Sequence, residues 1–459
     1  MPQLHCLTAT EMRAALAAGE TSARALVTSA LARIDAVNPR LNAIVQRCDD
    51  QALVAADAVD QGLAKGRDMG PLAGIPVTVK VNVDQAGFAT TNGLRLQQHL
   101  IAADDSPVVA NLRRAGAIII GRTNTPAFSL RWFTRNLVHG ATVNPRDSRL
   151  TPGGSSGGAA VAVASGMGPI GHGTDIAGSV RYPAYACGVH GLRPSLGRVP
   201  AYNASGPDRM IGAQLMAVSG PIARSIPDLR LALQVMAARD IRDPWWMPVP
   251  LVGPDLPRRL ALCLEPEGMV VDPAIKSALQ VAARKACAAG WQVEEVATPP
   301  LREAVALQLS LWLAEMRRTG GAAIYAEGDP EAIFVYENLG RHAPGTDLNG
   351  FMDIFPARAR LVRLWRAFFA SYPVLLLPVS GELPFADHRD TASQADFDAV
   401  IEAQTPQIGL PLMGLPGLTV TTGSVGTTPV GVQLVADQFR EDLLLELGQI
   451  IGSDIPVVG

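Results

Sequence analysis

Much of the chemistry that a sequence can advertise is absent from this chain. Its 459 residues include only five cysteines, Cys6, Cys48, Cys187, Cys263 and Cys287. The number is odd and no CxxC occurs, so neither a disulfide framework nor a zinc site is suggested. The seven histidines are scattered, without HxxxH or HExxH, which removes the usual metallohydrolase patterns. No basic segment followed by an apolar run stands at the start, so no secretory signal is expected. No run of about 18 apolar residues is available for a membrane span. No block of like charge appears and the net charge is −3, so a nucleic-acid partner gains no electrostatic support. Nor does any low-complexity segment, repeat or linker divide the chain. These absences leave a cytoplasmic protein whose partner is neither membrane nor nucleic acid.

The chain is 48 % hydrophobic and 18 % charged, a balance that supplies a large core. Thr8 to Glu11 reads as a capping box opening a short helix. Helical patterns follow over 22–37, ending before Pro39, and over 49–62. Residues 75–83 are β-branched and apolar and predict a strand, with Lys80 inside it. A helix over 106–115 precedes a short apolar strand over 116–120, the rhythm of an α/β fold. Residues 123–152 read as loop. Further helices are expected over 159–165, 225–238, 273–289, 301–324, 352–372 and 437–451. Further strands are expected over 259–264, 291–296, 374–378, 418–422 and 430–435.

The stretch 151–194, TPGGSSGGAAVAVASGMGPIGHGTDIAGSVRYPAYACGVHGLRP, is rich in Gly and Ser and poor in charge. Glycine permits close backbone approach at little steric cost. So many glycines beside so few polar groups suggest backbone wrapped around something small. Ser155 and Ser156 each sit in a G-x-S-x-G, the nucleophile elbow of α/β-hydrolases. That elbow must follow a strand, whereas here NPRDSRLTP precedes it. A phosphate loop would need a lysine that is missing, and a plain turn at a helix start fits as well. Ser179, in GTDIAGSVR, follows a Gly-containing turn whose consecutive N–H groups suit an oxyanion hole. A serine needs a base within hydrogen-bond reach. His172 and His190 are near in sequence but have no evident carboxylate to orient them. Lys80 is the better base: inside an apolar strand it is desolvated, and desolvation lowers a lysine pKa.

Taken together, Lys80, Ser155 and Ser179, with GGSSGG and GTDIAGSVRYPA, resemble the amidase signature family. Similar segments run from ARIDAVNPRLNAIV through GPLAGIPVTVKVNVDQAG and GAIIIGRTNTPAF to GLPGLTV and TPVGVQLVADQF. The resemblance is weakest over about 239–410, where substrate specificity varies in the family. It implies a single large α/β domain over 1–459, with a central mixed, mostly parallel sheet covered by helices on both faces. It also implies a Ser–cis-Ser–Lys triad. Ser179 is then the nucleophile, Ser155 the relay and Lys80 the neutral base. Backbone N–H groups of Ile176, Ala177, Gly178 and Ser179 form the oxyanion hole. Thr174, Asp175, Arg181 and Ser156 support the loops, and no metal or organic cofactor is required. Homodimers are common in the family.

Two departures stand out. Ala177 replaces the family's commoner glycine, which would strain the loop if φ there were positive. Val81 replaces the aspartate that usually follows the lysine, removing a carboxylate that would favour the charged amine. For the substrate side, Phe128, Trp132, Phe133 and Leu137 match the rim of the acyl pocket. Trp245, Trp246, Leu309 and Trp312 lie in the variable region. These side chains point to a small apolar or aryl amide, with esters as further substrates. The alternatives are the glutaminase component of a tRNA-dependent amidotransferase and a binding protein with a dead site.

Overall fold

The computed structural model describes residues 3–453 and 455–459. In chain order its strands are β1 (Ile44–Arg47), β2 (Pro76–Lys80), β3 (Ile118–Thr123), β4 (Arg135–Asn136), β5 (Gly140–Ala141), β6 (Ile170–Asp175) and β7 (His190–Arg193). They continue with β8 (Val218–Ala223), β9 (Arg259–Leu262), β10 (Gln292–Glu295), β11 (Val374–Pro378), β12 (Gly417–Val425) and β13 (Thr428–Ala436). Eleven of them form one sheet in the order β1-β3-β2-β6-β8-β7-β12-β13-β11-β9-β10, and β4 and β5 make a separate hairpin.

The fold is one large α/β domain with a mixed sheet between helices. Parallel pairing is concentrated in two blocks, β3-β2-β6 and β11-β9-β10. The middle, from β6 through β8, β7, β12 and β13 to β11, is antiparallel, as is the β1-β3 edge. The expected parallel character therefore holds in the flanking blocks and gives way at the centre. Parallel neighbours need a helical crossover, whereas antiparallel ones can be joined by a tight turn. Residues 426–427 make such a turn between β12 and β13, with Gly426 at a φ of 60°.

Side chains alternate between the two faces, as strand geometry demands. Ile119, Leu376 and Leu434 face one core, together with the helices Ala9–Ala17, Ile226–Met236, Pro273–Ala288 and Glu441–Ile451. Ile118 and Ile120 face the other side, under the helices Ala23–Leu41, Asp49–Ala64 and Gly157–Ala164. Leu375, Leu377 and Val435 continue that side beneath the helices Arg302–Glu315 and Leu348–Ser371. The helix Gly157–Ala164 is buried on every side, which its all-apolar, small-residue sequence permits.

Most expected elements are present, and the Thr8–Glu11 capping box forms. The second helix runs past Pro39 to Leu41, because that proline falls in the last turn and Asn42 caps it in the left-handed region. The helix expected over 301–324 is interrupted by a π-turn at Met316–Gly320. Four strands of the large sheet, β1, β6, β7 and β8, were not anticipated. Strands such as IGHGTD and VSGPIA lack the β-branched alternation that identifies a strand. They are strands because both neighbours in the sheet satisfy their backbone.

Candidate active site

The site sits where two adjacent parallel strands end. β2 and β6 pair at Val77↔Ile170 and Thr78↔Gly171, so Lys80 and Thr174 emerge side by side. Ser155 precedes the helix Gly157–Ala164, and Ser179 precedes the helix Arg181–Cys187. Tertiary pairing thus brings together three residues spread over about 100 positions of sequence.

Lys80 is fully buried. Its Nζ lies 2.6 Å from Ser155 Oγ and 3.0 Å from Thr174 Oγ1. Burial pushes the Lys80 ammonium well below the ordinary lysine value, and the charge of Asp175 opposes this only in part. A neutral amine has one lone pair. With its N–H donated to Thr174, that lone pair is free to accept from Ser155. Asn82 Nδ2 also donates to Thr174 Oγ1, at 2.9 Å, which fixes the threonine hydroxyl. Val81 is buried and puts no carboxylate beside the amine.

The two serine loops are laced together. Ser156 N–H donates to Ser179 O at 3.1 Å. Ser156 Oγ bridges the Thr174 carbonyl and N–H at 3.3 and 3.2 Å. The Gly154–Ser155 peptide is cis. A side chain at Gly154 would stand 2.4 Å from Arg131 O and 2.6 Å from Phe133 N, so only glycine fits there.

Asp175 anchors the second loop. It accepts N–H groups from Gly178 and Val180 at 2.9 and 3.2 Å, and both Nε and Nη2 of Arg181 at 3.0 Å. Arg193 adds a contact at 3.3 Å. Burial alone would raise the Asp175 carboxyl, but Arg181 and Arg193 outweigh it and hold it well below the usual carboxylate range. Arg181 is in turn held by Gln433 Oε1 and Gln407 O, each at 2.8 Å. This buried charge network makes the loop rigid.

Of the four N–H groups expected in the oxyanion hole, that of Gly178 is already donated to Asp175. Those of Ile176, Ala177 and Ser179 have no acceptor among the described residues. Gly178 carries the positive φ, +100°, and Ala177 is not among the positive-φ residues. The alanine is accommodated without backbone strain because the turn is made one residue later.

A cavity of about 880 Å³ opens onto Ser155 and Ser179, lined among others by Phe128, Ile176, Trp245 and Trp312. Trp132 and Phe133, expected at the rim, are instead core residues. Phe133 stacks near Phe385, and Trp132 donates its indole N–H to Ala177 O at 2.9 Å. They turn inward because residues 131–133 lie directly against Gly154. Leu309 is likewise buried in the core. Trp246 donates to Ala237 O at 3.1 Å outside the cavity, and Leu137 is exposed. His172 and His190 are buried polar core residues. Burial, with Arg122 adding to it, lowers His172 to about 3.

Asn82, Arg193, Gln308 and Gln433 were missed from sequence. Only Asn82, two residues after Lys80, stood near enough to a recognised residue to be found. Among the described residues, no group of three or more His, Cys, Asp or Glu side chains is placed to hold a metal ion. None of the helices described is long and apolar enough to cross a membrane.

Comparison with known proteins gives the same picture. Residues 25–445 match the Amidase family. The chain is 42 % identical over 447 residues to an indoleacetamide hydrolase of Bradyrhizobium diazoefficiens, covering 96 % of this chain and 85 % of that protein. It is 33 % identical to a glutamyl-tRNA(Gln) amidotransferase component of a Synechococcus strain, covering 95 % of each. It superposes on a bacterial aryl acylamidase of the amidase signature enzymes with a TM-score of 0.83 and 25 % identity, covering 98 % of this chain and 96 % of that one. The chain belongs to the amidase signature family and is an amide hydrolase acting on carbon–nitrogen bonds other than peptide bonds.

Proposed function

We propose that the protein hydrolyses small aryl amides through an acyl-enzyme on Ser179. The observation that carries this reading is the Lys80–Ser155 contact of 2.6 Å in a buried site, next to a serine that faces an aromatic cavity. Ser179 Oγ attacks the amide carbon. Its proton passes to Ser155 as the Ser155 proton passes to Lys80 Nζ. N–H groups of Ile176, Ala177 and Ser179 stabilise the oxyanion. The C–N bond then breaks, the proton returns through Ser155 to the leaving nitrogen, and ammonia or an amine departs. Water attacks the ester by the same relay and releases the acid.

Substrate choice follows from the wall. Trp245, Trp312 and Ile176 share one apolar cluster beside the oxyanion loop, which suits a flat aromatic acyl group. The identity with an indoleacetamide hydrolase supports an arylacetamide such as indoleacetamide. The stretch 239–410, which supplies both tryptophans, is the specificity region in this reading.

Incubation with a fluorophosphonate followed by intact mass tests the nucleophile. One adduct, lost in Ser179→Ala, is expected; an adduct unaffected by that change overturns the reading. A turnover screen over arylacetamides, aliphatic amides and glutamine tests the substrate class. Glutamine hydrolysis without arylamide turnover would favour the glutaminase function instead.

A further inference from the structure

Gln308 lies on the helix Arg302–Glu315, far in sequence from the two serine loops, and its side chain is wholly buried. Its carboxamide nitrogen donates to Ile176 O at 2.5 Å, and its oxygen accepts the Leu412 N–H at 2.9 Å. Both ends of the amide are engaged, which fixes its orientation. The next carbonyl in the loop is held as well, by Trp132 Nε1 on Ala177 O at 2.9 Å.

In a trans peptide the C=O and the following N–H point to opposite sides of the chain. Holding Ala177 O sends the Gly178 N–H the other way, where Asp175 receives it. Holding Ile176 O likewise directs the Ala177 N–H, and that group has no acceptor among the described residues. The direction of this free donor is therefore set by Gln308. The same helix face carries Trp312, one turn on, in the cavity wall. Glu315, a further turn on, accepts the N–H groups of Gly212 and Ala213 at 2.5 and 3.2 Å. One helix face thus ties the oxyanion loop to the substrate wall.

We infer that Gln308 is a positioning residue, aiming the Ala177 N–H at the place where the substrate's carbonyl oxygen gains charge. The inference rests on the reading of Ser179 as nucleophile. It makes the variable region contribute to the chemical step as well as to substrate choice.

Two substitutions test it. Gln308→Met keeps length and removes the donor. Gln308→Glu keeps an acceptor for Leu412 and sets an oxygen against Ile176 O. Three quantities are measured: kcat and KM on an aryl amide, the rate of fluorophosphonate labelling, and the thermal midpoint. Labelling forms a P–O bond at Ser179 and expels fluoride, and its transition state uses the same donors. Both variants are expected to lose about 10- to 100-fold in kcat and in labelling rate, with KM within about threefold. A structural role alone would lower the midpoint and leave the rates of the folded fraction unchanged. Wild type that labels at Ser179, with variants labelling within about twofold of it, overturns the inference and leaves the amidase reading standing. Wild type that does not label at Ser179 overturns both. Should Gln308→Met fail to fold, Gln308→Glu decides by the same two rates.

Discussion

Residues 151–194 and 239–410 meet at one cavity but are built in opposite ways. In the first stretch every residue is buried except Thr174 and Ile176, and both of these line the cavity. Its polar groups are committed to one another or to Lys80: Asp175 to two arginines, Ser156 to both loops, Ser155 to Lys80. The second stretch reaches the cavity with a few large side chains, among them Trp245 and Trp312, mounted on helices and loops. A preorganised site lowers barriers because its dipoles need not move during reaction. A wall of separate aromatics sets affinity, and can change without disturbing the chemistry. Changes in the first stretch should therefore move kcat and changes in the aromatics of the second should move KM, with Gln308 the one residue of the second stretch that acts on kcat, through its hold on Ile176 O.

The largest effect expected is that of Ser179→Ala, a loss of at least about 10³-fold in kcat, measured on any substrate that turns over. A variant retaining a tenth of the activity would place the nucleophile elsewhere and end the contrast.

Lys80→Met should be nearly as inactive, and it separates chemistry from stability. Burial holds the folded Lys80 pKa below its unfolded value of about 10.4. Between the two values the unfolded chain binds one proton more, so this group's contribution to stability rises with pH. Lys80→Met removes this pH-dependent contribution, so its midpoint and that of wild type should respond differently to pH. The variant's midpoint relative to wild type should fall as pH approaches about 10, and a difference independent of pH would contradict a neutral lysine. In the wild type, kcat should fall on the acid side as Lys80 becomes protonated, with the slope of a single group.

Gly178→Ala should be milder. Its φ of +100° disfavours a side chain, and a Cβ would stand 2.7 Å from Gln407. Backbone strain of about 1–3 kcal/mol is expected, read as a lower midpoint together with a reduced kcat. A fully active and stable variant would show that the loop is looser than its charge network implies.

Trp312→Ala is the smallest and belongs to the other region. Losing one aromatic wall should raise KM for aryl amides about tenfold, with kcat within about threefold. A larger fall in kcat than rise in KM would erase the division between the regions.

The stretch 151–194 could be singled out from sequence because its constraints are backbone constraints. A peptide that must pass within van der Waals contact of another, as at Gly154, leaves glycine as the single choice, and that choice is visible. Lys80 was legible for a related reason, as a charge inside an apolar strand. The pocket was legible only in part. Aromatics serve cores and pockets equally well, so Trp132 and Trp312 looked alike in sequence. One braces Ala177 O from behind and the other faces the cavity, a difference decided by long-range packing. Gln308 gave no local signal, since a glutamine in a helix is ordinarily a solvated residue.

Composition, the Gly/Ser motifs and the isolated lysine determined by themselves that this is an α/β amide hydrolase and which residues its chemistry would use. Only the tertiary structure decided how those residues meet. The pairing of β2 with β6 brings Lys80 to Thr174 and Ser155, and the parallel blocks at the sheet's flanks frame an antiparallel centre. It also decided which aromatics line the cavity and that Gln308 holds the carbonyl of Ile176. The physical reason is that local sequence constrains backbone shape, whereas long-range packing decides which side chain faces which.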